Sequence, residues 1–221
     1  MPRTTSISPE RLQGWLHGWS ELHGGVTVQA SEQQVVVVGN DDPAHRLLCQ
    51  VPFPPMKTRP DLPYGGLLDH ARTDRLVGVI LVRRGGYAVG VFDGRKLLQS
   101  KVGGRYVQGR TKAGGWSQQR YARRRENQAR KLYEATAETA ARVFEPFRAR
   151  LEAVVLGGDR QGSTEVIQHE RLRVFRPLVV ERRLTDVPDP KAAVLARMPD
   201  SFRAVLVVDS STEVPEQDHS G

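Results

Sequence analysis

The sequence predicts an α/β fold in which a mixed central sheet carries a long helix that follows a glycine-rich loop. Three observations support this prediction. Short apolar segments separated by glycine turns, typical of strands, occupy the region before residue 101. A pattern of apolar residues at three- and four-residue steps predicts a helix from Ser117 to Leu151. Apolar segments at Ala153–Leu156 and Ala204–Asp209 follow it, and strands alternating with helices are typical of α/β proteins.

The first 24 residues are predicted to form a helical extension. Ser8 is a candidate N-cap with Pro9 at the first helical position, and Gly24 ends the helix. An apolar stripe at helical spacing comprises Leu12, Trp15, Leu16 and Trp19. We interpret this stripe as a face that packs on the rest of the protein.

Residues 25–209 are predicted to form the α/β domain. Val26–Val38 contains two short strand-like segments, and five prolines between positions 52 and 63 preclude regular structure there. An antiparallel meander with turns at Gly85-Gly86 and Asp93-Gly94 is predicted next. Its strands are Leu76–Val82, Tyr87–Phe92 and Lys96–Lys101.

Residues 103–115 contain five glycines, so we expect a long mobile loop between the meander and the long helix. After the strand Ala153–Leu156, the sequence predicts a turn, a strand, a short helix and the last strand. The first three are placed at Gly157-Gly158-Asp159, at Leu172–Val180 and near Pro190–Arg197. Residues 210–221 are polar and are predicted to be a flexible tail.

The composition excludes several classes of protein. One cysteine, Cys49, cannot form an internal disulfide framework, and the longest apolar runs have only seven residues, too few for a membrane span. The N-terminus lacks the pattern of a signal peptide, so we expect a cytoplasmic protein. No P-loop and no nucleophile elbow occur, which predicts neither a nucleotide cofactor nor a serine hydrolase.

The histidines are scattered, and none forms an HxxxH pair. We interpret Asp41-Asp42 as a surface acidic pair rather than as metal ligands, and His70 as a surface histidine rather than a catalytic base. The sequence therefore predicts no metal site.

The positive charge is concentrated in one part of the chain. Residues 101–150 hold 13 Lys or Arg and 4 Asp or Glu, a net charge of +9, whereas the other 171 residues have a net charge of −1. A protein that needed charge only for solubility would spread it. A concentrated basic face indicates a polyanionic partner such as nucleic acid.

The basic face lies at the start of the long helix. At helical spacing, four side chains share one face opposite Leu132 and Phe144. They are Arg120, Arg123, Arg124 and Lys131, and Arg125 and Arg130 broaden the patch. In the preceding loop, Arg110 and Lys112 are further candidates for RNA contact.

The same helix carries a resemblance to a known family. The run from Arg120 to Arg125, followed by Glu138-Thr139-Ala140 and Phe144, resembles the helix after the GGQ loop in the catalytic middle domain of eukaryotic and archaeal class I release factors. The similarity spans about residues 75–165 and is strongest to the Vms-like release factor (VLRF) family in its actinobacterial branch. It implies the middle-domain fold of release factors, with an RNase H-like layout.

The resemblance also implies a catalytic loop that reads Gly114-Gly115-Trp116-Ser117-Gln118-Gln119. When the motifs are aligned on Arg120, Trp116 stands where release factors have glutamine. The glycines and Ser-Gln of the VLRF signature match Gly114, Gly115, Ser117 and Gln118, with one residue inserted. Gln118 is therefore the first candidate for the catalytic glutamine, and Gln119 is the second.

The implied function is hydrolysis of peptidyl-tRNA on stalled ribosomal complexes, which rescues ribosomes without a metal or a nucleotide cofactor. The expected partners are the large ribosomal subunit and peptidyl-tRNA, with no membrane. The alternative is a non-catalytic module that binds the ribosome or RNA. A nuclease on an RNase H-like layout is disfavoured, because the sequence has no acidic cluster for two metals.

Overall fold

The computed structural model describes residues 3–83, 85–104 and 115–210, and the side chains of residues 115–122 are not part of that description. The described residues form nine strands: β1 (Arg3–Ile7), β2 (Val26–Ala30), β3 (Gln34–Gly39), β4 (Arg46–Gln50), β5 (Leu76–Arg83), β6 (Gly86–Asp93), β7 (Lys96–Gly104), β8 (Ala153–Gly158) and β9 (Val205–Asp209). They also form six α-helices: α1 (Pro9–Leu22), α2 (Leu67–Arg72), α3 (Gly115–Phe144), α4 (Arg160–Gln168), α5 (Ala192–Ala196) and α6 (Met198–Phe202). Within these ranges, no helix has the length and hydropathy needed to cross a bilayer.

The chain divides into two compact units. Unit 1 comprises Met1–Thr73 and Asp200–Gly221, and unit 2 comprises Asp74–Pro199. The sequence instead placed residues 25–209 in one domain and residues 1–24 in an extension. The difference arises because β9 pairs with β1 and β4 rather than with the meander. The predicted tail at 210–221 lies, apart from Ser210, outside the described residues.

Unit 1 is built on a five-stranded antiparallel sheet with the order β1-β9-β4-β3-β2. Alternate residues of β3, Val35 and Val37, are fully buried, because successive side chains of a strand point to opposite faces and one face of this sheet is covered. The predicted stripe of α1 belongs to the same core, with Leu12 and Leu16 fully buried. The helix itself and the two strands between 26 and 38 are confirmed.

Unit 2 is built on a four-stranded sheet with the order β7-β6-β5-β8. The predicted meander is confirmed, since β5 pairs antiparallel with β6 and β6 pairs antiparallel with β7. The connection through α3 brings β8 back parallel to β5, so the sheet is mixed as predicted. Residues 76–82 of the central strand β5 are all buried.

Two local predictions differ from the structure. The long helix ends at Phe144 rather than Leu151 and continues as a 3₁₀ turn, Glu145–Phe147, because Pro146 cannot donate a backbone hydrogen bond. The predicted strand Leu172–Val180 is wrong: Glu170–Leu178 is a 3₁₀ segment. Its buried residues, Leu172 and Phe175, are three positions apart, which is the helical and not the strand spacing.

The glycine pairs are also placed differently. Gly103 and Gly104, expected in the loop, are the last residues of β7, paired with Tyr87 and Gly86. Gly157 and Gly158 end β8 rather than forming a turn. The other three glycines of the predicted loop are Gly109 and Gly114, outside the described residues, and Gly115, the first residue of α3.

Candidate nucleic-acid interface

The second half of α3 is anchored in the core of unit 2. Ala137, Ala140 and Phe144 are fully buried against residues of β5 and β6. A Cβ at Gly78 of β5 would lie 2.8 Å from Cζ of Phe144, so glycine leaves the space that the ring occupies. Phe144 also contacts Phe175 edge-on, with ring centroids 5.4 Å apart. This packing determines where the rest of the helix lies relative to its sheet.

Two buried hydroxyls of α3 are satisfied by hydrogen bonds. Thr136 donates to the carbonyl of Leu132 at 2.7 Å, and Thr139 shares a hydrogen bond of 3.0 Å with the hydroxyl of Tyr87 on β6. A Cβ at Gly103 would overlap the Tyr87 ring. Gly103 therefore makes room for a tyrosine that connects the sheet to α3.

A second helix packs closely against α3. A Cβ at Gly162 of α4 would lie 2.7 Å from the ring of Tyr133, so the helices approach at a glycine. The start of α4 is capped by Asp159, whose side chain accepts a 3.0 Å hydrogen bond from the Gly162 amide. Helix α4 was not predicted from the sequence, although Asp159, directly before its first residue, is of a type favoured at the N-cap.

The first half of α3 presents a basic surface. Residues 123–127 are exposed, as are Arg130 and Lys131, and Leu132 is the first buried position from residue 123 onward, where the side chains are described. Five of the nine residues from 123 to 131 are Lys or Arg and one is Glu, a net charge of +4. We call residues 123–131 the basic segment of α3.

The helix geometry confirms that the basic and apolar faces are opposed. At about 100° per residue, Arg123, Arg124 and Lys131 fall within an arc of about 100°. The buried positions centre about 180° away from that arc. They are Leu132, Thr136, Ala137, Thr139, Ala140, Val143 and Phe144. The three cationic side chains thus face solvent because the other face of the same helix packs in the core.

Five of the remaining candidate residues lie at the helix start. Gly115, Ser117, Gln118, Gln119 and Arg120 fall within the first six residues of α3, which places the candidate glutamines at a helix N-terminus. Arg110, Lys112 and Gly114 lie outside the described residues. The choice between Gln118 and Gln119 stays a prediction.

A helix start has a chemical consequence for this position. The backbone N–H groups of the first turn have no carbonyl partner within the helix, and the helix dipole adds partial positive charge there. An N-terminus with free amides, followed by a basic segment, favours contact with a polyanion. Helix α3 therefore carries both the basic segment, a candidate site for phosphates, and the candidate catalytic glutamines.

Comparisons with known proteins identify relatives of this region. Residues 75–208 match the family model of the Actinobacteria/Chloroflexi VLRF1 release factor. The peptide chain release factor subunit 1 of Thermococcus sibiricus is 31% identical over 97 residues, which is 43% of this chain and 23% of that protein. The chain thus spans about a quarter of the length of this curated relative.

Two solved structures are also similar. The archaeal translation termination factor aRF1 has a TM-score of 0.42 at 12% identity, covering 90% of this chain and 66% of that one. The Vms1 mitochondrial localization core has a TM-score of 0.44 at 8% identity, covering 84% of this chain and 92% of that one.

The family match extends beyond the segment that carried the resemblance in the sequence. It begins at residue 75, at the start of unit 2, and runs through β9 to residue 208, more than half of the chain. The predicted relationship to VLRF proteins is confirmed by this match. The chain belongs to the Actinobacteria/Chloroflexi VLRF1 release factor family.

Proposed function

We propose that the chain is a peptidyl-tRNA hydrolase that releases nascent peptides from tRNA on stalled ribosomal complexes in the cytoplasm. The observation that carries this proposal is the arrangement of α3 in a chain of a release factor family. The candidate glutamines lie among the first five residues of the helix, the basic segment follows, and the opposite face is anchored in the core.

The proposed substrate is the ester between the peptide and the terminal ribose of tRNA. Water attacks the ester carbonyl, the tetrahedral intermediate collapses, and the ribose oxygen leaves with a proton. A glutamine cannot act as a general base at neutral pH, because its amide does not ionise usefully. Gln118 instead orients the attacking water with its side-chain amide, which lowers the entropic part of the barrier.

The backbone and the glycines have separate roles in this step. A free N–H of the first turn of α3 would donate to the developing oxyanion. Glycines at positions 114 and 115 let the backbone approach the ester closely. No metal or nucleotide takes part in the proposed reaction.

The basic segment binds the phosphates of tRNA or ribosomal RNA. Each phosphate contact releases a counterion, so binding weakens as the salt concentration rises, by about one unit of log–log slope per contact. Phosphate contacts position the protein and contribute affinity, whereas the loop supplies the chemistry. The two roles are therefore separable by mutation.

The decisive measurement is single-turnover peptide release from a defined ribosomal complex, with binding measured in parallel. We expect Gln118→Ala to slow release about a hundredfold or more, which corresponds to about 3 kcal/mol of transition-state stabilisation, without a change in affinity. Gln119→Ala is the matched control, because adjacent helical residues point about 100° apart. Slow release by Gln119→Ala with normal release by Gln118→Ala would reverse the two assignments.

The alternative function is a non-catalytic module that binds the ribosome or RNA, which the basic segment by itself would also support. We expect the double variant Arg123→Glu/Arg124→Glu to lower affinity at least tenfold and to flatten its salt dependence. The control is Lys191→Glu/Arg197→Glu, an equal charge change at exposed positions beside α5. Normal release by both glutamine variants, with binding lost in the arginine variant, would favour the binding module.

A further inference from the structure

A cluster of two histidines and one aspartate lies in unit 1, far along the sequence from α3. His23 directly follows α1, while Asp41 and His45 lie in the connection between β3 and β4. The Nδ1 atom of His23 lies 3.0 Å from Oδ2 of Asp41, and Nδ1 of His45 lies 3.1 Å from the same oxygen. The three potential ligand atoms are within 4.8 Å of one another.

The rings of this cluster are held by neighbouring groups. The His23 ring contacts Trp19 of α1 in a tilted arrangement, with centroids 4.1 Å apart, and it contacts His45 with centroids 4.5 Å apart. The second carboxylate oxygen of Asp41 accepts a 2.8 Å hydrogen bond from the Asp42 amide. This bond orients the carboxylate so that Oδ2 faces the two imidazoles, as outer hydrogen bonds do for metal-binding carboxylates.

The backbone fixes the same geometry. The amides of Asn40 and Asp41 both donate to the carbonyl of His23, at 3.1 and 3.2 Å. The amide of His45 donates to Asp42 and its carbonyl accepts from Gly39, each at 2.9 Å. The chain segments that carry the three side chains are therefore joined by hydrogen bonds before any ligand arrives.

A glycine makes the close approach of these segments possible. A Cβ at Gly39 would lie 2.6 Å from Oδ1 of Asp41 and 2.9 Å from Cβ of His23. Any larger residue would push the aspartate and the histidine apart. Glycine at position 39 thus allows the three side chains to converge.

The distances match those of a transition-metal site. Bonds of about 2.0–2.1 Å from zinc to imidazole nitrogen and carboxylate oxygen give a tetrahedron with edges of about 3.3 Å. The two nitrogen–oxygen separations of 3.0 and 3.1 Å are close to that edge. The side chains of Asp41 and His45 are 39% and 32% exposed, which leaves room for a water molecule at the fourth position.

We propose that His23, Asp41 and His45 bind a divalent transition-metal ion, Zn²⁺ in the first place, with water as the fourth ligand. Imidazole suits zinc, cobalt and nickel, whereas Mg²⁺ and Ca²⁺ require oxygen ligands, so the donor set excludes the latter pair. The ion joins the end of α1 to the β3–β4 connection. Its role is to stabilise unit 1, independently of the chemistry proposed for α3.

The same helix offers a matched control. His17 and Glu21 form an exposed pair on α1 with a nitrogen–oxygen distance of 3.4 Å and side chains that are 72% and 70% exposed. This pair also combines an imidazole with a carboxylate, but it has no third donor in the described structure. Substitution of His17 therefore measures how much an ordinary surface histidine contributes to the metal affinity of the chain.

The test uses the full chain without a histidine tag, after removal of metal by a chelator. We expect calorimetry to show one Zn²⁺ per chain at micromolar or tighter affinity, and Co²⁺ to give the visible absorption of a four-coordinate site. Zn²⁺ at a hundredfold excess over its dissociation constant should raise the unfolding midpoint of unit 1 by about 10 °C or more, whereas Mg²⁺ should not. Peptide release per bound protein should survive selective zinc removal.

Variants decide whether the ion occupies the proposed ligands. We expect His45→Gln and Asp41→Asn each to weaken Zn²⁺ at least tenfold while retaining the far-ultraviolet circular dichroism of the wild type, and His17→Gln to leave the affinity unchanged. Equal affinity in all three variants would overturn the proposal. Zinc binding only at millimolar concentration would overturn it as well, because the three groups would then serve only as hydrogen-bonding partners.

Discussion

Gly78→Ala tests whether the position of α3 depends on the space that β5 leaves for Phe144. Gly78 is buried in the central strand, opposite Val91 of β6 and Val154 of β8. An added methyl group would lie 2.8, 3.0 and 3.2 Å from three ring carbons of Phe144. The ring cannot yield freely, since it is fully buried and packs on Phe175.

The expected magnitude is the difference between two effects. Overpacking a close-packed core costs about 1–3 kcal/mol. Replacing glycine by alanine restricts the unfolded chain and recovers about 0.4–1 kcal/mol. We therefore expect Gly78→Ala to lower the free energy of unfolding of unit 2 by about 1–2 kcal/mol.

The assay is urea unfolding followed by circular dichroism, together with hydrogen exchange of the β5 and β8 amides. Exchange is needed because Trp15 and Trp19 lie in unit 1, so their fluorescence reports mainly on that unit. The control is Gly18→Ala on α1, where no heavy atom lies within 4 Å of the added methyl group. It should raise stability by up to about 1 kcal/mol, because alanine is the better helix former.

A double-mutant cycle identifies the cause. In a Phe144→Leu background the added methyl group meets a smaller side chain, so Gly78→Ala should cost at least about 0.5 kcal/mol less than in the wild type. If Gly78→Ala were neutral, or cost the same in both backgrounds, the ring of Phe144 would not be what the glycine accommodates.

Two further predictions concern the described core and caps. Burial raises the pKa of the Cys49 thiol to about 12 from its ordinary 9.0, so the native protein should resist thiol reagents and react only when unit 1 unfolds. Above about pH 9 only the unfolded state ionises, so the free energy of unfolding should fall by about 1.4 kcal/mol per pH unit. Rapid labelling of the folded protein, or a Cys49→Ala variant with the same loss of stability at alkaline pH, would contradict this. Asp159→Ala should destabilise unit 2 by about 1 kcal/mol in urea unfolding, because the Gly162 amide at the start of α4 loses its acceptor, and Asp159→Asn should retain most of the stability.

Much of the secondary structure was predictable because it is encoded locally. The apolar stripe of α1, the three strands of the meander and the start of α3 all follow from hydrophobic period and from glycine or proline at their ends. The basic segment was predictable for the same reason. Charge and helical spacing are properties of neighbouring residues, and Arg123, Arg124 and Lys131 lie on the exposed face where the spacing placed them.

Short elements without a strong period were missed. β1 and β4 have five residues each, and α2 has six, too few to repeat an apolar pattern reliably. Leu172–Val180 was assigned to a strand because it is rich in β-branched and apolar residues. Tertiary packing overrode that preference and buried Leu172 and Phe175 at helical spacing instead.

The sequence by itself determined the elements with a clear apolar period, the charge distribution and, through its motif, the family. Only the tertiary structure decided which strands share a sheet: β9 returns to pair with β1 and β4, which creates two units where the sequence indicated one domain. It also brought His23 to Asp41, 18 positions further along the chain, and to His45. The physical reason is that period and propensity depend on near neighbours, whereas strand pairing and side-chain clusters depend on which distant surfaces bury one another.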